Sequence, residues 1–162
     1  MMGHESVCRE LKRCRLDDEV KAVVFRVDSG GGESLASDLI AHEVDLLAAV
    51  KPVVVSMVDV AGSGGYVIAY KATRMMANPL TVTGSIGSIN GVFNMKGFYD
   101  KIGFTKDHVA IGPNARLGTD YRDPTSAEWD RHTDAHWKSF NSWLEDVADR
   151  RGMTFEYAET LA

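Results

Sequence analysis

Ser63 is the residue with the most chemistry to offer. It stands in Ala61-Gly62-Ser63-Gly64-Gly65, directly after the apolar run Val53-Val54-Val55-Ser56-Met57-Val58 and before Tyr66-Val67-Ile68-Ala69-Tyr70. An apolar strand, a tight turn of small residues and a new helix present one side chain at a sharp corner. Glycines on both sides remove Cβ atoms that would clash in the bend and hold a substrate backbone away. A serine between glycines is more often a plain turn residue. The strand–turn–helix context makes this one a candidate nucleophile.

The elements that must position it follow from the apolar pattern. Residues 5–16 have helical spacing. Lys21 to Val27 reads as a strand, and its continuous Ala22-Val23-Val24-Phe25 suggests cover on both faces, as in parallel sheets. The glycine turn 28–34 leads to a helix carrying Leu35, Leu39, Ile40, Val44, Leu47 and Val50 at spacings of three and four. Arg74 to Ala77 is a short strand and 80–89 a turn with a short strand. Met95 to Ile102 is a helix closed by Gly103, Lys106 to Ile111 a strand, and 112–124 a polar loop. A long helix from Ser126 to about Arg151 places Trp129, Thr133, Trp137, Phe140, Leu144 and Val147 on one face, read first as core and second as an oligomer contact. A last helix starts at Thr154. Strands alternating with helices specify an α/β fold with a largely parallel sheet.

The 162 residues fit a single domain, 1–162, able to bury a core. The opening on a helix and the end at Thr160-Leu161-Ala162 without a capping glycine lead us to expect a piece of a longer chain. A net charge of −5, with no basic cluster interleaved with aromatics, argues against nucleic acid. Cys8 and Cys14, six apart in a helix, are expected on different faces, with neither a disulfide nor a metal-ligand spacing. No apolar run of about 18 residues and no signal-peptide core is present. A neutral apolar and charged balance, 44% and 25%, is that of a soluble globular chain.

In a parallel sheet, the loops at the carboxyl ends of the strands gather at one edge, where ligands bind. Three of them are glycine-rich: 29–32, 62–65 and 84–87. A phosphate cradle is excluded, because no Gly-Lys-Ser/Thr occurs and the dinucleotide spacing fails; no cofactor is expected. Main-chain N–H groups meeting a carbonyl oxygen fit better.

Four blocks then stand in order: Arg26-Val27-Asp28-Ser29-Gly30-Gly31-Gly32, Lys51-Pro52-Val53-Val54-Val55-Ser56-Met57, Ala61-Gly62-Ser63-Gly64-Gly65-Tyr66 and Thr83-Gly84-Ser85-Ile86-Gly87. Together they resemble the bacterial signal peptide peptidases of the protease IV type, over nearly the whole chain. The resemblance implies the fold shared by Clp-type proteases and crotonases, and a serine nucleophile with a lysine base that cuts peptides left after signal-peptide removal. It implies Ser63 as nucleophile, the N–H groups of Gly31 and Gly64 as the oxyanion hole, and Ser85 as a hydrogen-bond partner of the lysine amine. An extended peptide with small apolar side chains would pair along Gly84 and Ile86. It also implies a membrane-anchored, periplasm-facing ring, with the anchor outside this chain.

Two departures stand out. The family's Ser-Pro-Gly-Gly is Ser29-Gly30-Gly31-Gly32 here, which releases a fixed φ. More seriously, the G-x-x-K that carries the base lysine in single-unit members is Gly112-Pro113-Asn114-Ala115 here, with Arg116 beside it. Arginine keeps its proton near neutral pH and cannot replace the base. Lys71 lies roughly 12 Å along the helix from Ser63. Lys21 and Lys51 open their strands at the far edge, and Lys96, Lys101 and Lys106 match no motif. The expectation is the carboxyl-terminal half of a tandem-repeat member, in which, the resemblance implies, the amino-terminal half brings the lysine. A Lys→Ala change at position 115 would read the same.

Three competitors stay open on the residues alone. They are a Ser–His pair using His108, a crotonase-like acyl-CoA-binding domain with the same oxyanion architecture and no nucleophile, and a non-catalytic assembly half. Ser85 could equally be a turn serine, and His4, His42, His132 and His136 read as helix-face or surface residues.

Overall fold

The computed structural model describes residues 3–162. They divide into two compact units, 3–87 with 143–162, and 88–142.

The first unit opens with α1 (His4–Leu16), β1 (Val23–Ser29), α2 (Ser34–Ala48), β2 (Val53–Gly62), α3 (Gly64–Tyr70), β3 (Arg74–Ala77) and β4 (Val82–Gly84). All strand pairs are parallel: β1 and β3 flank β2, and β4 joins β2 beyond the end of β3. Alternate residues of β2, Val53, Val55 and Met57, are buried, and Val53 packs with Leu11 of α1 and Ile40, Val44 and Leu47 of α2. Val23 and Phe25 of β1 join that cluster. Glu33 caps α2, accepting from the N–H groups of Leu35 (3.0 Å) and Ala36 (2.6 Å), bonds that hold its carboxyl below the usual range. The α/β architecture with a parallel sheet is as the strand–helix alternation requires.

Two expectations are corrected here. β1 is not covered on both faces: Val23 and Phe25 pack against α1 and α2, while Val24, on the opposite face, is 73% exposed. Cys8 and Cys14 do not diverge. Both pack half-buried against the same α1–α2 cluster, and both are free thiols; burial, helped by the Glu43 carboxylate, pushes the Cys8 thiol up.

The second unit holds α4 (Lys96–Lys101) and the start of α5 (Ser126–Arg151), whose residues from Trp143 onward belong to the first unit, as does α6 (Phe155–Thr160). Asp120 ties the second unit together. Its carboxylate accepts from Tyr99 Oη (2.6 Å) and Lys106 Nζ (2.5 Å), and its carbonyl accepts from the Met95 N–H (2.7 Å). Arg122 meets Glu128 with two bonds of 2.7 Å, and the Thr125 N–H adds a third bond (2.8 Å), which together hold the Glu128 carboxyl down at about 2.

The strand expected at Lys106 to Ile111 does not form. The segment is irregular, with Val109 98% exposed, because among the described residues no strand lies beside it to accept a ladder. The long apolar stripe of α5 is core only in its second half. Leu144 and Val147 are fully buried, while Trp129 and Trp137 are 48% and 54% exposed.

Candidate functional site

The first unit gathers every residue singled out for the site. Ser63 has φ 50 and ψ −121, a conformation that costs a non-glycine residue of order 1–3 kcal/mol and persists only where the surroundings enforce it. Three backbone bonds enforce it. The Ser63 N–H donates to the Gly84 carbonyl (3.0 Å), and the Ser63 carbonyl accepts from the N–H groups of Tyr66 (2.9 Å) and Val67 (3.0 Å). The side chain therefore projects from the turn between β2 and α3, half-exposed between the buried Gly62 and Gly64.

The 29–32 loop closes against this corner, main chain to main chain. Gly31 has φ +107, and a Cβ placed on it would stand 2.8 Å from both the Gly64 nitrogen and Ser63 Cβ. A Cβ on Gly64 would stand 2.5 Å from Ser37 Oγ, and one on Gly65 would stand 2.3 Å from the Ser29 carbonyl oxygen. Glycine is required at these places because neighbouring main-chain and serine side-chain atoms leave no room for a Cβ. The Gly31 N–H points to Ser29 Oγ at 3.2 Å, a weak contact by length. Gly64 opens α3, where the first amides have no partner within the helix.

The 84–87 loop flanks the other side. Gly62 pairs with Gly84, and Ser85 Cβ lies 3.7 Å from where a Cβ on Gly62 would be. Ser85 is exposed and, with φ 46, is the second non-glycine residue in the left-handed region. Its carbonyl accepts from the Gly87 N–H (2.8 Å). Ile86 is buried at 5% exposure, so its side chain faces the interior.

Five of the six lysines considered as bases are engaged elsewhere. Lys71 Nζ is 3.0 Å from Asp146, Lys51 Nζ donates to the carbonyls of Cys14 and Asp17, and Lys21 Nζ donates to that of Asp18. Lys96 and Lys106 are paired with Asp100 and Asp120 inside the second unit. Ala115 is exposed there, at a shallow pocket of about 360 Å³ that Lys106, His108 and Arg116 also line.

Sequence reasoning missed what holds α3 from behind. The buried Tyr70 donates its hydroxyl to Asp146 (2.5 Å), and Arg151 donates to the Tyr66 hydroxyl. Burial, then the bond to Asp146, pushes the Tyr70 hydroxyl up; burial works to raise Asp146 as well, but the bonds from Tyr70 and Lys71 prevail and lower it. These partners lie 76 and 85 residues apart, so no local pattern could have announced them.

The model of peptidase family S49 matches residues 45–162, most of the chain. The chain belongs to peptidase family S49. This S49 chain is 38% identical over 161 residues to "Serine protease SPPA, chloroplastic" of Arabidopsis thaliana, covering 98% of itself and 24% of that protein. It is 41% identical over 117 residues to "Protease 4" of Salmonella typhi (72% of the chain, 19% of the relative). To a "Putative signal peptide peptidase SppA" of Enterococcus faecium it is 28% identical over 161 residues (99% and 47%). The S49 chain thus spans less than half the length of each of these relatives. In fold it is similar to a ClpP1 mutant of Listeria monocytogenes, with a TM-score of 0.62 at 14% identity, over 97% of this chain and 70% of that one. The Clp-type fold expected from the four blocks is the fold observed.

Proposed function

We propose that this chain is the serine-bearing unit of a Ser–Lys endopeptidase that cleaves signal peptides or similar peptides rich in small residues. The observation that carries the reading is the Ser63 corner: a strained, half-exposed serine with the Gly31 loop pressed against it. Ser63 Oγ attacks the scissile carbonyl. The N–H groups of Gly31 and Gly64 receive the developing oxyanion, with the carbonyl oxygen displacing the weak Gly31–Ser29 contact. The base is a lysine from outside this chain, from an amino-terminal half or a neighbouring subunit, because residue 115 is alanine and Lys71 is paired with Asp146. Ser85, exposed beside the corner, receives and orients that amine. The peptide lies extended along β4 and the 84–87 loop, with Gly84 and Ile86 contributing main chain, since the Ile86 side chain is buried. The relatives' names, a serine protease and a signal peptide peptidase, support this reading, as does the Clp-type fold.

In the parent protein we place this unit on the periplasmic side of the inner membrane, held there by an anchor outside this chain; no described helix is long and apolar enough to cross a membrane. The test uses the full-length protein with an acylating inhibitor and a small-residue peptide. Acylation and hydrolysis are expected to vanish in Ser63→Ala. Unchanged hydrolysis in that variant, or saturable coenzyme A binding without acylation, would replace the peptidase reading with an assembly or acyl-CoA-binding role.

A further inference from the structure

β2 changes neighbours part-way along. Val54 to Met57 pair with β3, whereas Val60 to Gly62 pair with β4. Against β1 the register slips as well: Val27 and Ser29, two apart, face Met57 and Ala61, four apart. Two additional residues of β2 therefore bulge outward just before the Ser63 corner, and a bulge bends and twists the strand that carries it. The register is interrupted there, and side chains reach three of the backbone groups around the break. Asp28 Oδ1 accepts from the Val60 N–H (3.2 Å). The Thr81 hydroxyl donates to the Val58 carbonyl (2.5 Å), and the Thr83 hydroxyl donates to the Ala61 carbonyl (2.8 Å). Asp28 comes from β1 and the threonines from the run through β4, so the bulge is gripped from both sides.

We infer that Asp28, Thr81 and Thr83 are positioning residues that set the aim of Ser63 by fixing the bulge of β2. The inference rests on Ser63 being the nucleophile. Ala61 and Gly62, which join the bulge to Ser63, are buried backbone, and close-packed interiors transmit displacement rather than absorb it. None of the three side chains is bonded to Ser63; each acts through the β2 main chain.

The test measures kcat, KM and the acylation rate of Ser63 in the full-length protein, with thermal melts alongside. A misplacement near 1 Å costs on the order of 100-fold in rate. Asp28→Ala and Thr83→Val are therefore expected to lower kcat and acylation by about ten- to 100-fold with KM within about twofold. Asp28→Asn keeps an acceptor oxygen for the Val60 amide and should recover to within about threefold of the parent. Rates within about twofold of the parent in Asp28→Ala and Thr83→Val overturn the inference, and so does Asp28→Asn as slow as Asp28→Ala. If Asp28→Ala does not fold, Thr83→Val, which keeps the side-chain shape, decides alone. Persistence of acylation in Ser63→Ala would instead overturn the nucleophile itself.

Discussion

Replacing Gly31 by alanine separates the oxyanion reading from a purely structural one. At φ +107 the new side chain is strained, and its Cβ would stand 2.8 Å from the Gly64 nitrogen, 2.8 Å from Ser63 Cβ and 3.1 Å from the Gly62 carbonyl. None of these is the far end of a flexible side chain, so the loop must retreat and take its own amide with it. Strain of order 1–3 kcal/mol and overpacking of similar size give a combined loss of about 2–4 kcal/mol after partial relaxation. For a domain of this size that lowers Tm by roughly 5–15 °C. Withdrawing one oxyanion donor should reduce kcat by about 10²–10³-fold at temperatures where the variant is still folded. Gly30→Ala is the control: a Cβ there meets nothing within 4 Å, and its φ is not in the left-handed region. The assay is peptide hydrolysis in the full-length protein, with melts of both variants. If Gly31→Ala keeps kcat within threefold of the parent, or Gly30→Ala falls as far, the contact of loop and corner does not form the oxyanion hole.

Other outcomes follow from neighbouring contacts. Gly65→Ala drives a Cβ to 2.3 Å from the Ser29 carbonyl oxygen and should destabilise the first unit by about 3 kcal/mol in denaturant melts. Ser85→Gly relieves a residue at φ 46 and should raise stability by about 1 kcal/mol; on the proposed role of its hydroxyl in orienting the lysine, activity should fall and its pH profile shift. Glu128, held down at about 2 by Arg122, makes a contribution that is complete above the ordinary glutamate pKa near 4.5 and is lost as pH falls towards 2; Glu128→Gln should flatten Tm against pH across that window. Tyr70→Phe, which removes the bond to Asp146, should cost about 1 kcal/mol by thermal melt.

What could be read beforehand was local. The Val53 to Val58 run and the glycines around Ser63 specify strand, corner and helix within twenty residues, and the corner formed where they put it. Failures came where neighbours decide the outcome. Val24 belongs to a continuous apolar run and is still exposed, because α1 and α2 cover the face that Val23 and Phe25 present. Val109 and Ile111 alternate as a strand would, but among the described residues no strand lies beside them. Trp129 and Trp137 keep helical spacing with Leu144 and Val147, although only the latter pair is buried. The tyrosine contacts of α3 and the side chains gripping the β2 bulge join residues far apart in the chain, and spacing is silent about those.

Gly31, Gly64 and Gly65 press bare Cα atoms against the Gly64 nitrogen, Ser63 Cβ, Ser37 Oγ and the Ser29 carbonyl, with no room for side chains of their own. A surface made that way offers evolution almost nothing to vary: each possible replacement adds atoms where none fit. Diversification among such proteins would then be channelled into the surrounding loops, and the corner itself would descend nearly unaltered, an heirloom geometry that new preferences must be built around.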